Sequence, residues 1–229
     1  MIDPDASVSF SVDGNVAAKR TTPDAADRRI RARNQRAIIA AAIAIFREKG
    51  FDGASIAEIA AAAGLPKANV YYYFRSKQAI YQTIIGDLIH EWDAALMHLT
   101  PDREPGDALA AYIRAKLDFS RRHAPQSQMF ANEAVHGGRF LTRADRAHMR
   151  AITVEKAGVF AGWMKAGKMR QVDPMHLFIM LWASTQYYAD FAVLAGMALA
   201  TRRPGRRDYA AAAETIVGII LRGCGISPA

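Results

Sequence analysis

An all-α fold follows from three features of the sequence. Apolar residues recur at helical spacing, serine caps precede two of the segments, and Gly or Pro stands at most segment ends. No stretch alternates apolar and polar residues convincingly. The one β-like run, residues 70–74, sits in a better helical context. The pattern predicts a small N-terminal unit of three helices and a larger helical unit behind it.

Residues 1–27, rich in Asp, Ser, Ala, Pro and Gly without periodicity, are expected to form a disordered tail. Residues 28–36 carry five arginines and lead into a helix whose apolar positions are Ile38, Ala42, Ile45 and Phe46. Gly50 ends it, because glycine takes the left-handed conformation without a Cβ clash. Ser55 reads as an N-cap, with Glu58 three residues on completing a capping box. The short helix it opens, 56–63, stops at Gly64. A second short helix covers 66–74, and Ser76 caps a longer one reaching about Leu99. Beyond the prolines at 101 and 105, helices are expected at 106–123, 126–136, 142–168, 174–199 and 208–223. The division that follows is a tail at 1–27, a small three-helix unit at 28–78 and a larger helical unit at 79–229.

The chain has 229 residues, 51% of them hydrophobic and 23% charged, enough for a real core. A net charge of +8 and a pI near 9.8 call for an anionic partner, nucleic acid or a membrane surface. The best membrane candidate, residues 177–200, is interrupted by Ser184, Thr185, Gln186 and Asp190, which are expensive in lipid. No membrane association is therefore expected. Cys224 is the single cysteine and the first residues carry no apolar leader, which fits a cytoplasmic protein. No catalytic motif, phosphate loop or zinc-type histidine pair is present. His90, His98, His123, His136, His148 and His176 are scattered and read as surface or hydrogen-bonded residues. The expectation is no enzyme, no cofactor and no metal.

Residues 56–74 form the most specific local pattern. Two short helices meet at Gly64, with Ile59, Ala60, Leu65 and Val70 at buried spacing; Ala60 is small where the second helix crosses. The second helix offers Lys67, Ala68, Asn69, Tyr71 and Tyr72 near its N-terminal half, suited to base edges in a major groove. Tyr71, Tyr73, Lys77 and the Ser55-capped helix start suit phosphates. Arg31 and Arg33 extend this basic surface, either as a solvated helix start or as an arm along the DNA. A plain core hairpin is the bland alternative.

These residues resemble the N-terminal domain of the tetracycline-repressor family of bacterial regulators. The matching features are Ala42, Phe46, Gly50 and Phe51, then Ser55 through Ala60, Ala63 with Gly64, Val70 through Phe74, and Ser76, Lys77, Ile80 and Tyr81. The resemblance implies a homodimer on a palindromic double-stranded operator, with a C-terminal domain that dimerises and binds a small effector.

Residues 160–194 further resemble a pyrimidine-responsive subgroup of that family. The likeness rests on Ala161, Gly162, Trp163, Gly167 and Lys168, then on the run from Trp182 through Ser184, Thr185 and Gln186 to Asp190, and more weakly on Tyr112, Arg114 and Lys116. It implies uracil or thymine as effector. Trp182 and Gln186 are four apart and share a helix face, an indole to stack on a flat ring and an amide to meet its imide edge. Ser184 joins them. The chain departs from the subgroup around Asn132, Glu133 and His136, which, if they line the pocket, alter its preference. Segments 174–199 and 208–223 are apolar on more faces than one chain covers, which favours a dimer. A sensor of a hydrophobic or drug-like ligand, and a non-specific architectural DNA-binding protein, are the alternatives.

Overall fold

The computed structural model describes residues 25–227, ten helices and no strand among them. All but the last residues of the expected tail therefore lie outside the described residues. In order, the helices are α1 Ala25–Gly53, α2 Ile56–Ala62, α3 Lys67–Tyr73, α4 Lys77–Leu96, α5 Pro105–Arg122, α6 Ala124–Val135, α7 Arg143–Lys165, α8 Pro174–Asp190, α9 Ala192–Ala198 and α10 Arg206–Gly223. The basic run is helical, forming the exposed first turns of α1. Gly50 breaks α1 where expected, with φ 69° and ψ 179°.

One helix expected at 174–199 is instead two, separated at Phe191, whose backbone (φ −113°, ψ 39°) leaves the helical region. Hydropathy is continuous across this point. The break becomes visible only in three dimensions, where Ser127 of α6 donates to the Asp190 carboxylate at the end of α8.

Two apolar cores share α4. The N-terminal core gathers Ile38, Ala42 and Phe46 of α1, Ile59 and Ala60 of α2, Val70 of α3, and Ile80, Ile84, Ile85 and Leu88 of α4. The C-terminal core takes Ala95 and Leu96 from the same helix and adds Leu109, Tyr112 and Ile113 of α5, Phe160 of α7, Leu181 of α8 and Ile220 of α10. Each fully buried Ile or Leu among these stabilises the fold by about 1.5–3 kcal/mol relative to exposure. A rigid rod that enters both cores carries displacement from one to the other. The boundary we propose between units, near residue 78, thus falls just inside this shared helix.

A second link ties the N-terminal helices to the α6–α7 turn. Phe51 and Tyr81 pack on Phe140 with ring centroids 4.1 and 5.2 Å apart. The Gln82 side chain donates to the Phe140 carbonyl at 3.2 Å.

Candidate DNA interface and effector cleft

The α2–α3 hairpin owes its shape to local chemistry. Glu58 N–H donates to Ser55 Oγ at 3.2 Å, and Ser55 N–H donates to Glu58 Oε2 at 2.9 Å, a complete capping box. Lys49 closes on the other oxygen of Glu58 at 2.5 Å, and its hydrogen bond, with that of Ser55, holds the carboxyl down at about 2. Gly64 has φ +66°, the left-handed turn that a side chain would strain. Leu65 N–H reaches back to the Ala60 carbonyl at 3.0 Å. Ile59 and Val70 are wholly buried, so the two helices are locked at one angle.

The outer face of α3 carries the residues expected to form a reading surface. Lys67, Ala68, Asn69, Tyr71 and Tyr72 are exposed, Tyr72 by 68%. The Arg31 guanidinium lies 5.4 Å from the Tyr72 ring centre and the Lys67 ammonium 5.9 Å from that of Tyr71. Exposed aromatic faces and cations thus occupy one surface, with Arg33 exposed on the adjoining turn of α1. Tyr73 is half-buried, its hydroxyl accepting from Asn34 Nδ2 at 3.3 Å.

Two of the expected phosphate contacts are placed differently. Lys77 turns inward: its ammonium donates to the carbonyls of Phe51 and Ala54 at 2.6 and 2.7 Å and sits 4.4 Å from the Phe51 ring centre. It closes the turn after the Gly50 break instead of facing outward, because those end-of-helix carbonyls lack intrahelical partners. The Ser55 hydroxyl is likewise engaged, donating to Glu58 Oε2 at 2.7 Å.

In the larger unit, α4, α5, α7 and α8 border a mostly apolar cleft of about 40 Å³. Its walls include Trp92, Leu96, Tyr112, Met149, Phe178 and Trp182, with Asp93, Lys116, His148 and Thr153 as polar members. Trp182 meets Trp92 edge-on at 5.6 Å, and Phe130 packs behind both. Trp92 Nε1 is a buried donor with no partner among the described residues. Lys116 is 3% exposed, with its ammonium 4.9 Å from the Trp92 ring centre.

Behind Lys116 lies a polar chain. Its ammonium donates to Gln186 Oε1; Gln186 Nε2 donates to Ser127 Oγ and, at 3.3 Å, to Asp190; Ser127 Oγ donates to Asp190. Burial pushes the lysine down to about 7 and the aspartate up, and their mutual attraction opposes both shifts only in part. Gln186, expected at the effector, is thus one layer back, with Lys116 between it and the cleft. Ser184 donates to the Leu181 carbonyl at 3.2 Å and does not reach the walls.

Asn132, Glu133 and His136 do not join the cleft. Asn132 and His136 lie on the exposed side of α6, the imidazole Nδ1 2.8 Å from the Asn132 carbonyl. Glu133 is buried on the other side, accepting from Phe140 N–H at 2.5 Å. Burial, reinforced by Glu133, pushes the Tyr81 phenol up to about 12. Asn132 and His136, four apart, share the solvent side, while Glu133, next to Asn132, turns to the N-terminal core.

Residues 38–84 match the family described as bacterial regulatory proteins, tetR family, and residues 85–227 match the YcdC-like protein, C-terminal region. The chain belongs to the tetR family. It is 40% identical over 158 residues to the HTH-type transcriptional regulator RutR of Escherichia coli K12, a match covering 69% of this chain and 74% of that one. The HTH-type transcriptional repressor NicS of Pseudomonas putida is 25% identical over 157 residues, 66% of this chain and 73% of its own. A tetR-family regulatory protein from Rhodococcus RHA1 has the same fold, with a TM-score of 0.67 and 21% identity over 85% of this chain and 98% of its own. This tetR-family chain is a DNA-binding transcriptional regulator with a RutR-like C-terminal region, and it is not an enzyme. Among the described residues no helix is long and apolar enough to cross a membrane.

Trp92 of the cleft and Ser127 of the polar chain behind it are not singled out by the sequence, and Lys116 enters there only through the weaker part of the resemblance. Lys116 carried a signal, a lysine on the apolar face of α5, between Ile113 and Leu117. Trp92 and Ser127 carried none, since a buried indole and a serine after proline are ordinary.

Proposed function

We propose that the chain is a homodimeric repressor that reads a palindromic operator with α3 and is released by a small planar effector bound in the cleft bordered by α4, α5, α7 and α8. The observation that carries this reading is that Trp92, whose buried Nε1 has no partner among the described residues, lines one cleft together with the buried Lys116 and with Trp182. A ring with exocyclic carbonyls satisfies both donors while stacking on an indole. The resemblance of residues 182–190 to the pyrimidine-responsive subgroup makes uracil and thymine the first candidates.

A cleft of about 40 Å³ suits a few waters and not a heterocycle, so entry requires α4 to part from its neighbours. That movement is the proposed switch. α4 carries the hairpin at its start, and paired recognition helices must stay about 34–36 Å apart to meet successive groove turns. A coupling of about 1–3 kcal/mol changes operator affinity roughly 5- to 150-fold, and the operator weakens effector binding by the same factor. Arg31 and Arg33 add salt-dependent backbone affinity, and Lys67, Asn69, Tyr71 and Tyr72 supply base and phosphate contacts.

Ile179, Phe191, Val193, Leu194, Met197 and Ile219 are each about half exposed or more, which supports pairing through α8, α9 and α10. Acting on DNA, such a regulator works in the cytoplasm. Calorimetric titration with uracil and with thymine tests the effector: saturable binding near one site per chain supports a pyrimidine sensor. Without binding, the mostly apolar walls favour a hydrophobic or drug-like ligand, tested by displacement of an apolar fluorescent probe.

A further inference from the structure

We propose that His90, Asp93 and His148 form a site for a divalent transition-metal ion that fastens α4 to α7. His148 is distant from the other two in sequence, where both histidines read as surface or hydrogen-bonded residues. The fold brings them together: His90 and Asp93, three apart, share a face of α4, and His148 meets them from α7. One donor atom from each lies within 4.8 Å of the other two. His148 Nε2 is 3.0 Å from Asp93 Oδ2, and His90 Nδ1 is 4.0 Å from the same oxygen. The two imidazole rings stand 4.8 Å apart, tilted by 49°.

The contact of Asp93 with His148 alone is an ordinary side-chain hydrogen bond, and it leaves His90 without a role. Two imidazoles converging on one carboxylate suit a borderline ion such as Zn²⁺, Co²⁺ or Ni²⁺ better than the hard Mg²⁺ or Ca²⁺, which take oxygen donors. Around tetrahedral zinc, with bonds of about 2.0–2.1 Å, ligand atoms sit about 3.3 Å apart. Asp93 and His148 are close to that spacing. His90 reaches it by a small rotation of a side chain that is 64% exposed, so no packing is lost. Three protein ligands leave a further position for water. Asp93 and His148 also border the cleft between α4 and α7, so an ion held here ties together the two helices at its edge. Metal occupancy thereby becomes a second influence on α4, separate from any effector.

The test is titration of the full-length, tag-free chain with Co²⁺ and Zn²⁺, followed by Co²⁺ absorption and by calorimetry. The expected result is one ion per chain, a raised thermal midpoint with Zn²⁺ and no response to Mg²⁺. His90→Ala and His148→Ala should each lose at least about 100-fold in affinity, beyond the roughly 10- to 100-fold that outer partners of a metal site cost. His176→Ala, altering an exposed histidine of α8, should bind as the parent does. Thermal melts without metal verify that each variant folds. No saturable Co²⁺ binding, or binding unchanged in both His90→Ala and His148→Ala, overturns the proposal.

Discussion

The Lys116 ammonium donates to the Gln186 amide oxygen across the α5–α8 packing, so a buried cation stands between that glutamine and the cleft. Neither residue is explained by core packing alone. A cation removed from water costs several kcal/mol unless it is well partnered, and this one has an amide, two aromatic faces and a nearby carboxyl.

Stability should rise with pH just above neutrality. Burial lowers the folded lysine from an ordinary 10.5 to about 7. Between those values the unfolded chain binds a proton that the folded chain does not, so stability increases with pH through this window. Below about 7 both states are charged and the burial penalty is fully present. Thermal melts from about pH 6 to about pH 9 should show the midpoint climbing, with the climb lost in Lys116→Met. Above that range Cys224, whose thiol burial pushes up from 9.0, acts in the opposite sense.

Lys77→Ala and Tyr71→Ala should separate structure from recognition. Removing Lys77 frees the carbonyls of Phe51 and Ala54 and should cost about 1.5–3 kcal/mol in denaturant unfolding. Tyr71→Ala, on an exposed face, should change stability by less than about 0.5 kcal/mol while weakening operator binding. Equal stability losses in the two would sink this division.

Arg33→Ala should lower operator affinity evenly across sequences and reduce the salt slope by about one. Fluorescence anisotropy over a salt series measures both. A slope unchanged from the parent would remove this arginine from the interface.

Trp92→Phe retains the aromatic packing on Phe130 and deletes the unpartnered donor. Stability should be unchanged or slightly raised, because an unsatisfied buried N–H disappears. Binding of a carbonyl-bearing effector should weaken about tenfold, the equivalent of about 1.4 kcal/mol. Calorimetry showing parental affinity would place the effector carbonyl elsewhere.

Leu194→Glu puts a charge on the exposed apolar face of α9, where the side chain has solvent around it in the single chain. Sedimentation should show the parent as a dimer and the variant as a monomer with an unaltered fold by circular dichroism. A dimeric variant would move the interface away from α9.

Local chemistry was legible from the sequence because its partners are close along the chain. The Ser55–Glu58 box, the Gly50 break, the Gly64 turn and the Ser76 cap each involve residues within four of one another. Helical periodicity likewise marked Ile59, Ala60 and Val70 as the hairpin core. The basic and aromatic surface of α3 was legible for the same reason, since alternate faces of one short helix follow from its period.

Readable from the chain alone are the all-α class, the hairpin and the side of α3 that faces outward, all consequences of backbone geometry over a few residues. The tertiary structure alone decided where Lys77 points, why 174–199 breaks at Phe191, and that Asn132 and His136 face solvent while Lys116 and Trp92 line the cleft. It alone brought His148 to His90 and Asp93. These depend on contacts between residues dozens of positions apart, whose pairing is set by how whole helices pack and leaves no period or spacing in the chain.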